Sequence, residues 1–591
     1  MKMPLAAINN RENLILTSNG KYECIPSPKV EVYLPFTADK FGKFDTDDEM
    51  LFVGANKWDP NNPSMQTSAK MTSVKVELNS PEWKEKRGYD LPFSYTDALL
   101  SSRTDLLKKY AHRSSKLKLC YWDIETCSDG TGRIPKPTEN PIAMIGLSFA
   151  EYDIENMEYK NTTETIICDE FEVDKQGEED LNIIKKFSKL IEKYDPDVIV
   201  GYNSWKYDIP YILKRMEMLA IDTHGLTGIS KKDCEKIRAM NSHQFHSTDP
   251  TNDVNLGIFG RRLHYDIYHV DVVRDTKLTQ YGLKNRRMKT VAKKLYPDDA
   301  DNIIELQDDI ENIYGMMQTK EKKDKLRNYL KSDITQTRRL SEFYFGNNIE
   351  QAEELEVPLA SIINRRNNTV PTLYILKNIR KKIVPYRHNT HVFEHLISRA
   401  ERKYNEVKFF QGAYVDLYQS GKMPYPLYKY DFSSLYPNII RTFNLSYENI
   451  WVEFELIDSE DIDDSPESYK AYKEKQKLTI EYNDAVLHAR IKVTVDLSFR
   501  GIIPGIMDDL LNARDELKID MEELNISSLL YMQKDSQQQI KKIYANSIYG
   551  VLSQRTGIGY LPLGATITAM GRWVTKKFCQ EADKENSEFI E

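Results

Sequence analysis

Cysteine is scarce in this chain: six residues in 591, at Cys24, Cys120, Cys127, Cys168, Cys234 and Cys579, with no CxxC pair. That pattern excludes a disulfide framework and the common zinc and iron–sulfur sites, and implies reduced thiols. Histidine is rare too, and the pairs His243/His246 and His264/His269 lack cysteine or acidic partners at metal-ligand spacing. They read as surface or packing residues with no assigned role. No apolar run is long enough to cross a bilayer, and Met1-Lys2-Met3-Pro4-Leu5 leads into polar sequence rather than a signal-peptide core. The expectation is therefore no membrane partner and a cytoplasmic location, a host's cytoplasm if the chain is viral. Net positive charge is also missing, the formal balance being −8. A nucleic-acid partner survives that balance, because carboxylates gathered at metal sites can outweigh a basic groove.

What is present is folded, multidomain sequence: 591 residues exceed one hydrophobic core, and 40% hydrophobic with 11% aromatic content argues against disorder. The first 110 or so residues mix alternating stretches such as Val30–Leu34 with Pro- and Asn-rich turns, which predicts a β-containing domain. From Lys116 the pattern becomes α/β. Strands are expected at Leu117–Glu125, Ile142–Ala150 and Asp197–Gly201, and helices over the stripe Ile183, Ile184, Phe187, Leu190, Ile191 and Tyr194, over Ile209–Leu219 and over Lys320–Arg339. Between Ser361 and Tyr430, thirteen Lys/Arg stand against four acids, which makes the segment a candidate for phosphate contact. Leu456–Tyr469, rich in Asp, Glu and Ser, reads as an acidic surface insertion.

Asp123 and Glu125 sit two apart at the end of an apolar strand, so strand alternation puts both carboxylates on one face. Asp208 opens a helix after another strand, and Tyr329 and Asp333 lie one helical turn apart. Four acids and a phenol can thus converge. Hard oxygen donors suit Mg²⁺ or Mn²⁺, and two such ions per site can activate a water and stabilise a leaving oxygen, with Tyr329 orienting the water. A second constellation begins at Asp431, which follows Pro426–Tyr430, expected as a short strand, and precedes the turn Phe432-Ser433-Ser434. Its carboxylate would bind metals that activate a primer 3′-hydroxyl and clamp a triphosphate. Tyr436, fixed by Pro437, would present a flat ring that leaves no room for a sugar 2′-hydroxyl. Arg514 and Lys518 share one helix face, and Lys542, Asn546, Tyr549 and Gly550 share another, a positive pairing that fits a triphosphate.

The segments WDIET, GYNSWKYD and YLKSD, then QGAYV at Gln411–Val415, DFSSLYP and KIYANSIYG, resemble six motifs of family B DNA polymerases in the family's order, over about Leu117 to Gln554. The resemblance implies a multidomain α/β and α+β fold, with an N-terminal β-containing domain, an RNase H-like 3′–5′ exonuclease domain, and a partial palm with helical fingers and no thumb. The implied division is 1–110 N-terminal domain, 111–345 exonuclease, 346–410 basic linker returning to the N-terminal domain, 411–505 first part of the palm, 506–556 fingers, and 557–591 the start of a second palm segment. It implies Asp123, Glu125, Asp208 and Asp333 as exonuclease metal ligands and Tyr329 as the aid to the nucleophilic water. It further implies Asn203, Gly412 and Tyr414 as DNA-side residues, Asp431 as the palm metal ligand, and Leu435, Tyr436, Arg514, Lys518, Lys542, Asn546, Tyr549 and Gly550 as the nucleotide pocket.

The departure from the pattern is a missing downstream Asp-Thr-Asp hairpin and thumb. The one Asp-Thr-Asp, Asp45-Thr46-Asp47, lies far upstream beside Asp48 and Glu49 and reads as an acidic turn. The expectation is therefore an archaeal- or bacteriophage-like split or truncated polymerase that copies a primer-template with dNTPs only when a second chain supplies that hairpin, pairing along the edge left open after Leu561–Leu563. A sliding clamp is a candidate further partner. The competing readings are a stand-alone 3′–5′ exonuclease with a vestigial polymerase half and a non-catalytic DNA-binding scaffold.

Overall fold

The computed structural model describes most of residues 104–588 and short strands before them; the longest stretches outside the described residues are 38–70, 78–103, 229–257, 380–389 and 416–429. Those stretches contain Asp45–Glu49, Cys234, His243, His246 and most of the stretch expected as a strand before Asp431. The chain forms two compact units. The first comprises Met1–Pro28, Arg103–Arg366 and Glu523–Ser536, and the second Lys29–Ser102, Asn367–Glu522 and Gln537–Glu591.

In the first unit, Lys116–Thr126 is the central strand of a seven-stranded sheet. Its sequence KLKLCYWDIET loses polar alternation after Lys118 because the strand is central and covered on both faces. It pairs antiparallel with Ile142–Asp153 and parallel with Val198–Gly201, which in turn pairs parallel with Arg262–Asp266. Glu158–Lys160 continues the sheet beyond Ile142–Asp153, and Ile258–Phe259 closes it beyond Arg262–Asp266. Helix Leu181–Tyr194 buries Ile183, Ile184, Phe187 and Ile191, the stripe its periodicity predicts. Tyr194 extends that packing by stacking on Phe149 at 3.9 Å.

The long helix runs Lys320–Leu355, sixteen residues past the expected end at Arg339, because Leu340, Phe343, Phe345, Ile349, Ala352 and Leu355 keep its apolar face buried. Helix Asp208–Met218 is tied down by Arg215, which is buried and paired to buried Asp180 through Nε–Oδ2 at 2.8 Å and Nη2–Oδ1 at 2.5 Å. The same carboxylate accepts from Ile142 N–H at 2.9 Å, so one buried acid joins strand and helix.

The second unit holds a four-stranded antiparallel sheet in the order Ile450–Leu456, Ala489–Asp496, Lys477–Asp484, Lys470–Glu474. The same unit holds helices Leu435–Phe443, Ile502–Glu522 and Leu561–Glu588 and, from Gln537 on, the rest of Leu529–Leu552. The N-terminal alternation appears as strand Glu31–Thr37 pairing with Met71–Glu77.

Two expectations change here. Leu561–Leu563 is no sheet edge but the first turn of the Leu561–Glu588 helix. Pro562 sits where a missing N–H costs nothing, and Leu561, Leu563, Ile567, Ala569 and Met570 are all buried. The acidic stretch after Leu456 is not purely a surface insertion either. Exposed Asp458 pairs with Arg399 and Lys403 of the basic segment, whereas Asp464 turns inward, accepting from Gln411 Nε2 at 2.7 Å and facing Lys576 Nζ at 2.8 Å.

Gly146 lies directly across the ladder from Asp123. A Cβ there would come within 2.8 Å of Ile334 Cγ1 and 2.9 Å of Leu330 Cγ, on the helix that carries Tyr329 and Asp333. The absent side chain lets that helix approach the central strand. Gly146→Ala should destabilise the unit by about 1–3 kcal/mol through overpacking and weaken Mn²⁺ binding at the acids alongside. Denaturant unfolding and metal titration of the variant measure both, and wild-type values in both would contradict this role.

Candidate active sites

The parallel trio of strands carries its acids toward one end. Asp123 and Glu125 project from the same face near the end of Lys116–Thr126, and Asp333 reaches them from the long helix. Ligand oxygens of Asp123, Glu125 and Asp333 all lie within 4.8 Å of one another. Asp208, buried at the start of its helix, adds its charge to Asp123 and Glu125.

Crowding sets the electrostatics. Burial raises the Asp123 carboxyl well above its ordinary range, and Asp208, Glu125 and Asp333 push it further. Burial followed by the Asp333 charge lifts Glu125 to about 8. Asp208 rises to about 7, by burial and then by Asp266. Asp333 rises to about 6 by burial, with Lys289 and a hydrogen bond from Tyr329 opposing the shift. Burial and three nearby carboxylates also raise the Tyr329 phenol, so it stays protonated and can donate.

Lys289 was not visible in the sequence as part of this site. Its Nζ stands 2.9 Å from Asp333 Oδ1 and 3.5 Å from the centre of the Tyr329 ring. Asn203 occupies the turn after Val198–Gly201 at φ 61°, and its Oδ1 lies 3.1 Å from His269 Nε2. His264 matches the packing role expected of it: it is buried against Ser204 Oγ at 3.1 Å, and burial lowers its pKa to about 3.

Divalent cations suit this donor set. Every ligand is a hard oxygen, and the acids are packed so tightly that without added positive charge they retain protons.

In the second unit Asp431 is exposed at the start of the turn into helix Leu435–Phe443. Ser434 adopts a left-handed conformation at φ 49°, and Asn438 Nδ2 donates to Ser433 O at 2.8 Å, holding the turn. The Tyr436 ring meets Tyr549 with centroids 4.4 Å apart, so DFSSLYP and KIYANSIYG do come together. Gly571 makes room for that ring, since a Cβ there would sit 2.9 Å from Tyr436 Cε1.

Leu435 is half-buried at the start of its helix, and Lys542, Asn546 and Gly550 lie on Leu529–Leu552. Arg514 donates to Gln538 Oε1 at 3.0 Å, and Lys518 pairs with its own helix's Asp515 at 2.7 Å. These contacts place Arg514 and Lys518 near helical partners and do not themselves join them to Asp431. Buried Arg572, also missed in the sequence, donates to the carbonyls of Gln411 at 2.7 Å and Gly412 at 2.9 Å, while Lys576 lies 5.3 Å from the Tyr414 ring.

The first unit is an α/β domain with acids gathered at the end of its central strand, and the second is an α+β unit with an antiparallel sheet and Asp431 at the start of a turn. Residues 94–285 match DNA polymerase family B, exonuclease domain, and residues 350–590 match DNA polymerase family B. The chain belongs to DNA polymerase family B.

Relatives include DNA polymerase delta catalytic subunits from Dictyostelium discoideum, 27% identical over 480 residues, and Candida albicans, 25% identical over 486 residues. These alignments cover 78% and 80% of this chain but 39% and 42% of the relatives, so the chain spans about two fifths of their length. The fold is similar to that of the family B DNA polymerase from the hyperthermophilic archaeon Pyrobaculum calidifontis, with a TM-score of 0.54, 16% identity, and coverage of 98% of this chain and 72% of that one. No helix among the described residues is long and apolar enough to cross a membrane.

A carboxyl group whose folded pKa is raised contributes stability at low pH that disappears as pH climbs through that pKa. In chelator, the first unit should therefore lose stability as pH rises from about 4, the ordinary carboxylate range, through about 8. Asp123→Asn, which removes one of the crowded charges, should flatten that loss and melt about 2–4 °C above wild type at the alkaline end, roughly the effect of 1 kcal/mol in a unit of this size. Mg²⁺ should raise the wild-type melting temperature there. Thermal melts across pH check this, and a variant that melts lower than wild type in chelator would contradict the charge-crowding description.

Proposed function

We propose that the first unit is a 3′–5′ exonuclease acting on single-stranded DNA ends and that the second is the larger part of a DNA-templated DNA polymerase. The observation that carries the first half is the meeting of Asp123, Glu125 and Asp333 from distant parts of the chain, with Asp208 and Tyr329 beside them. Two divalent cations, Mg²⁺ or Mn²⁺, would supply an activated water and neutralise charge at the leaving 3′-oxygen. Asp123, Glu125, Asp208 and Asp333 would hold them. Tyr329, kept protonated by its surroundings, would donate to the attacking water and fix its direction. Lys289, already against Asp333, would offset negative charge when phosphate enters. Asn203, on the turn before Asp208, would contact the strand end.

In the second unit Asp431 would take the metals that align primer and triphosphate, with Leu435, Arg514, Lys518, Lys542, Asn546 and Gly550 forming the nucleotide pocket and Gly412 and Tyr414 the DNA side. The Tyr436 ring, wedged between Tyr549 and the Gly571 backbone, is poised as a wall against a 2′-hydroxyl. Two-metal transfer requires another carboxylate beside Asp431. We assign it to an Asp-Thr-Asp segment outside this sequence, on the same polypeptide or on a second chain, together with the thumb. Aromatic side chains mark where such a segment would pack. Tyr430 is 71% exposed and Phe578 39% exposed, and Phe578 lies edge-on to both Tyr430 and Phe432, which flank Asp431. The six-part domain division given by the motifs stands as the working assignment.

With Mg²⁺, this chain should shorten a single-stranded oligodeoxynucleotide from its 3′ end. Asp123→Ala should abolish the activity, and Tyr329→Phe should slow it by about a hundredfold through loss of the hydroxyl that directs the attacking water. Digestion unchanged in Asp123→Ala would overturn the assignment of the activity to this acid cluster, and no digestion by the wild-type chain would favour a DNA-binding scaffold.

Primer extension by residues 1–591 alone should be negligible at micromolar concentration with Mg²⁺. Extension in the absence of any further segment would refute the incomplete palm.

A further inference from the structure

We propose that His269 is a positioning residue for strand recognition: it holds the Asn203 amide by its oxygen, so that the Asn203 Nδ2–H₂ group is turned toward the 3′ end of the DNA. This rests on the exonuclease reading above and adds to it a residue outside the acidic cluster.

The geometry begins at Asp266, a fully buried acid closing strand Arg262–Asp266. Burial lifts its carboxyl to about 6, and backbone N–H groups oppose that shift. Oδ1 accepts from Asn203 N–H at 2.9 Å and from His269 N–H at 3.2 Å, and Oδ2 accepts from Trp205 N–H at 2.9 Å. One carboxylate thus ties the turn that bears Asn203 to the short π-helical turn that bears His269. Asn203 itself is held at φ 61°, a conformation asparagine tolerates better than most residues, so the direction of its side chain is fixed by the backbone.

The imidazole is fixed as firmly. Its ring lies parallel to the Trp205 ring, 5° from coplanar with centroids 5.7 Å apart, and edge-on to Tyr268 at 5.0 Å. Burial, with Lys206 and Arg274 nearby, lowers its pKa to about 4, so near neutrality the ring is uncharged and carries one N–H. An amide oxygen only accepts, so the 3.1 Å contact from Nε2 to Asn203 Oδ1 puts that N–H on Nε2. With Oδ1 engaged, the two N–H bonds of Nδ2 point along the other branch of the amide. Asn203 is half-buried, so part of the residue stays open to solvent. A donor pair facing out suits a phosphodiester oxygen or a base carbonyl of an incoming strand. A flipped amide would present an oxygen and repel phosphate.

The test is a double-mutant cycle on digestion of a 3′-hydroxyl single-stranded oligodeoxynucleotide by the full chain with Mg²⁺. It uses His269→Ala, Asn203→Ala, the pair, and His269→Gln, whose side-chain N–H can replace that of the ring. His269→Ala should raise KM about fivefold, the effect of one lost hydrogen bond, with kcat close to wild type. The pair should be no worse than Asn203→Ala alone, and His269→Gln should recover most of the loss. Losses that multiply in the pair, or a fall in kcat with KM unchanged, overturn the assignment. If His269→Ala fails to fold, His269→Gln decides: a KM near wild type supports the assignment, and a KM as poor as that of Asn203→Ala overturns it. A wild-type chain that leaves the oligonucleotide intact overturns the exonuclease reading and this inference together, whereas digestion with an additive cycle overturns this inference alone.

Discussion

Negative charge confined to a small, poorly solvated volume is the constraint around which the first unit is built. Three carboxylates within 4.8 Å of one another would repel one another and lose hydration, and the raised pKa values record that cost. The fold tolerates it because the acids rest on rigid supports: a strand hydrogen-bonded on both sides, and a 36-residue helix brought close by Gly146. Lys289 relieves part of the repulsion from the Asp333 side. Stability is given up locally at a site whose charge the proposed cations would neutralise.

The second unit follows a different logic. Asp431 stands exposed, and the order around it comes from packing and backbone clamps rather than from charge crowding. Tyr436 is confined by Tyr549 and by the Gly571 backbone. Arg572 uses a buried guanidinium to hold the Gln411 and Gly412 carbonyls, fixing the segment that leads into the palm. A buried arginine bonded to carbonyls is costly to desolvate but specifies one backbone path. The half-exposed Phe578, with Tyr430 and Phe432 at its edge, gives the same unit an apolar face next to its acid.

Much of the nuclease site could be read from short-range periodicity. Strand alternation places Asp123 and Glu125 together, and a four-residue helical step places Tyr329 over Asp333; both hold in three dimensions. Residues recruited by tertiary packing carried weaker signals. Lys289 looks like one more charge in Arg286-Arg287-Met288-Lys289, and only the approach of its helix to the long helix reveals its target. Asp266 also ends a strand, but RLHYD is not an apolar run and lacks a second carboxylate two residues on. His269 was dismissed for lack of metal-type neighbours, although its partner is an amide. The Leu561–Glu588 helix was mistaken for a sheet edge because Leu561-Pro562-Leu563 is too short to show a period, and the helical stripe emerges only across Ile567, Ala569 and Met570.

The central claim is that Asp123, Glu125 and Asp333 form a cation site whose negative charge is partly met by Lys289. Diffraction at the manganese absorption edge, from crystals of the chain grown with Mn²⁺ and a short 3′-ended oligonucleotide, tests this most directly. The account predicts anomalous peaks bracketed by these three carboxylates and Asp208, with the Lys289 ammonium moved away from Asp333. Manganese bound elsewhere, with Lys289 still seated on Asp333, would contradict it.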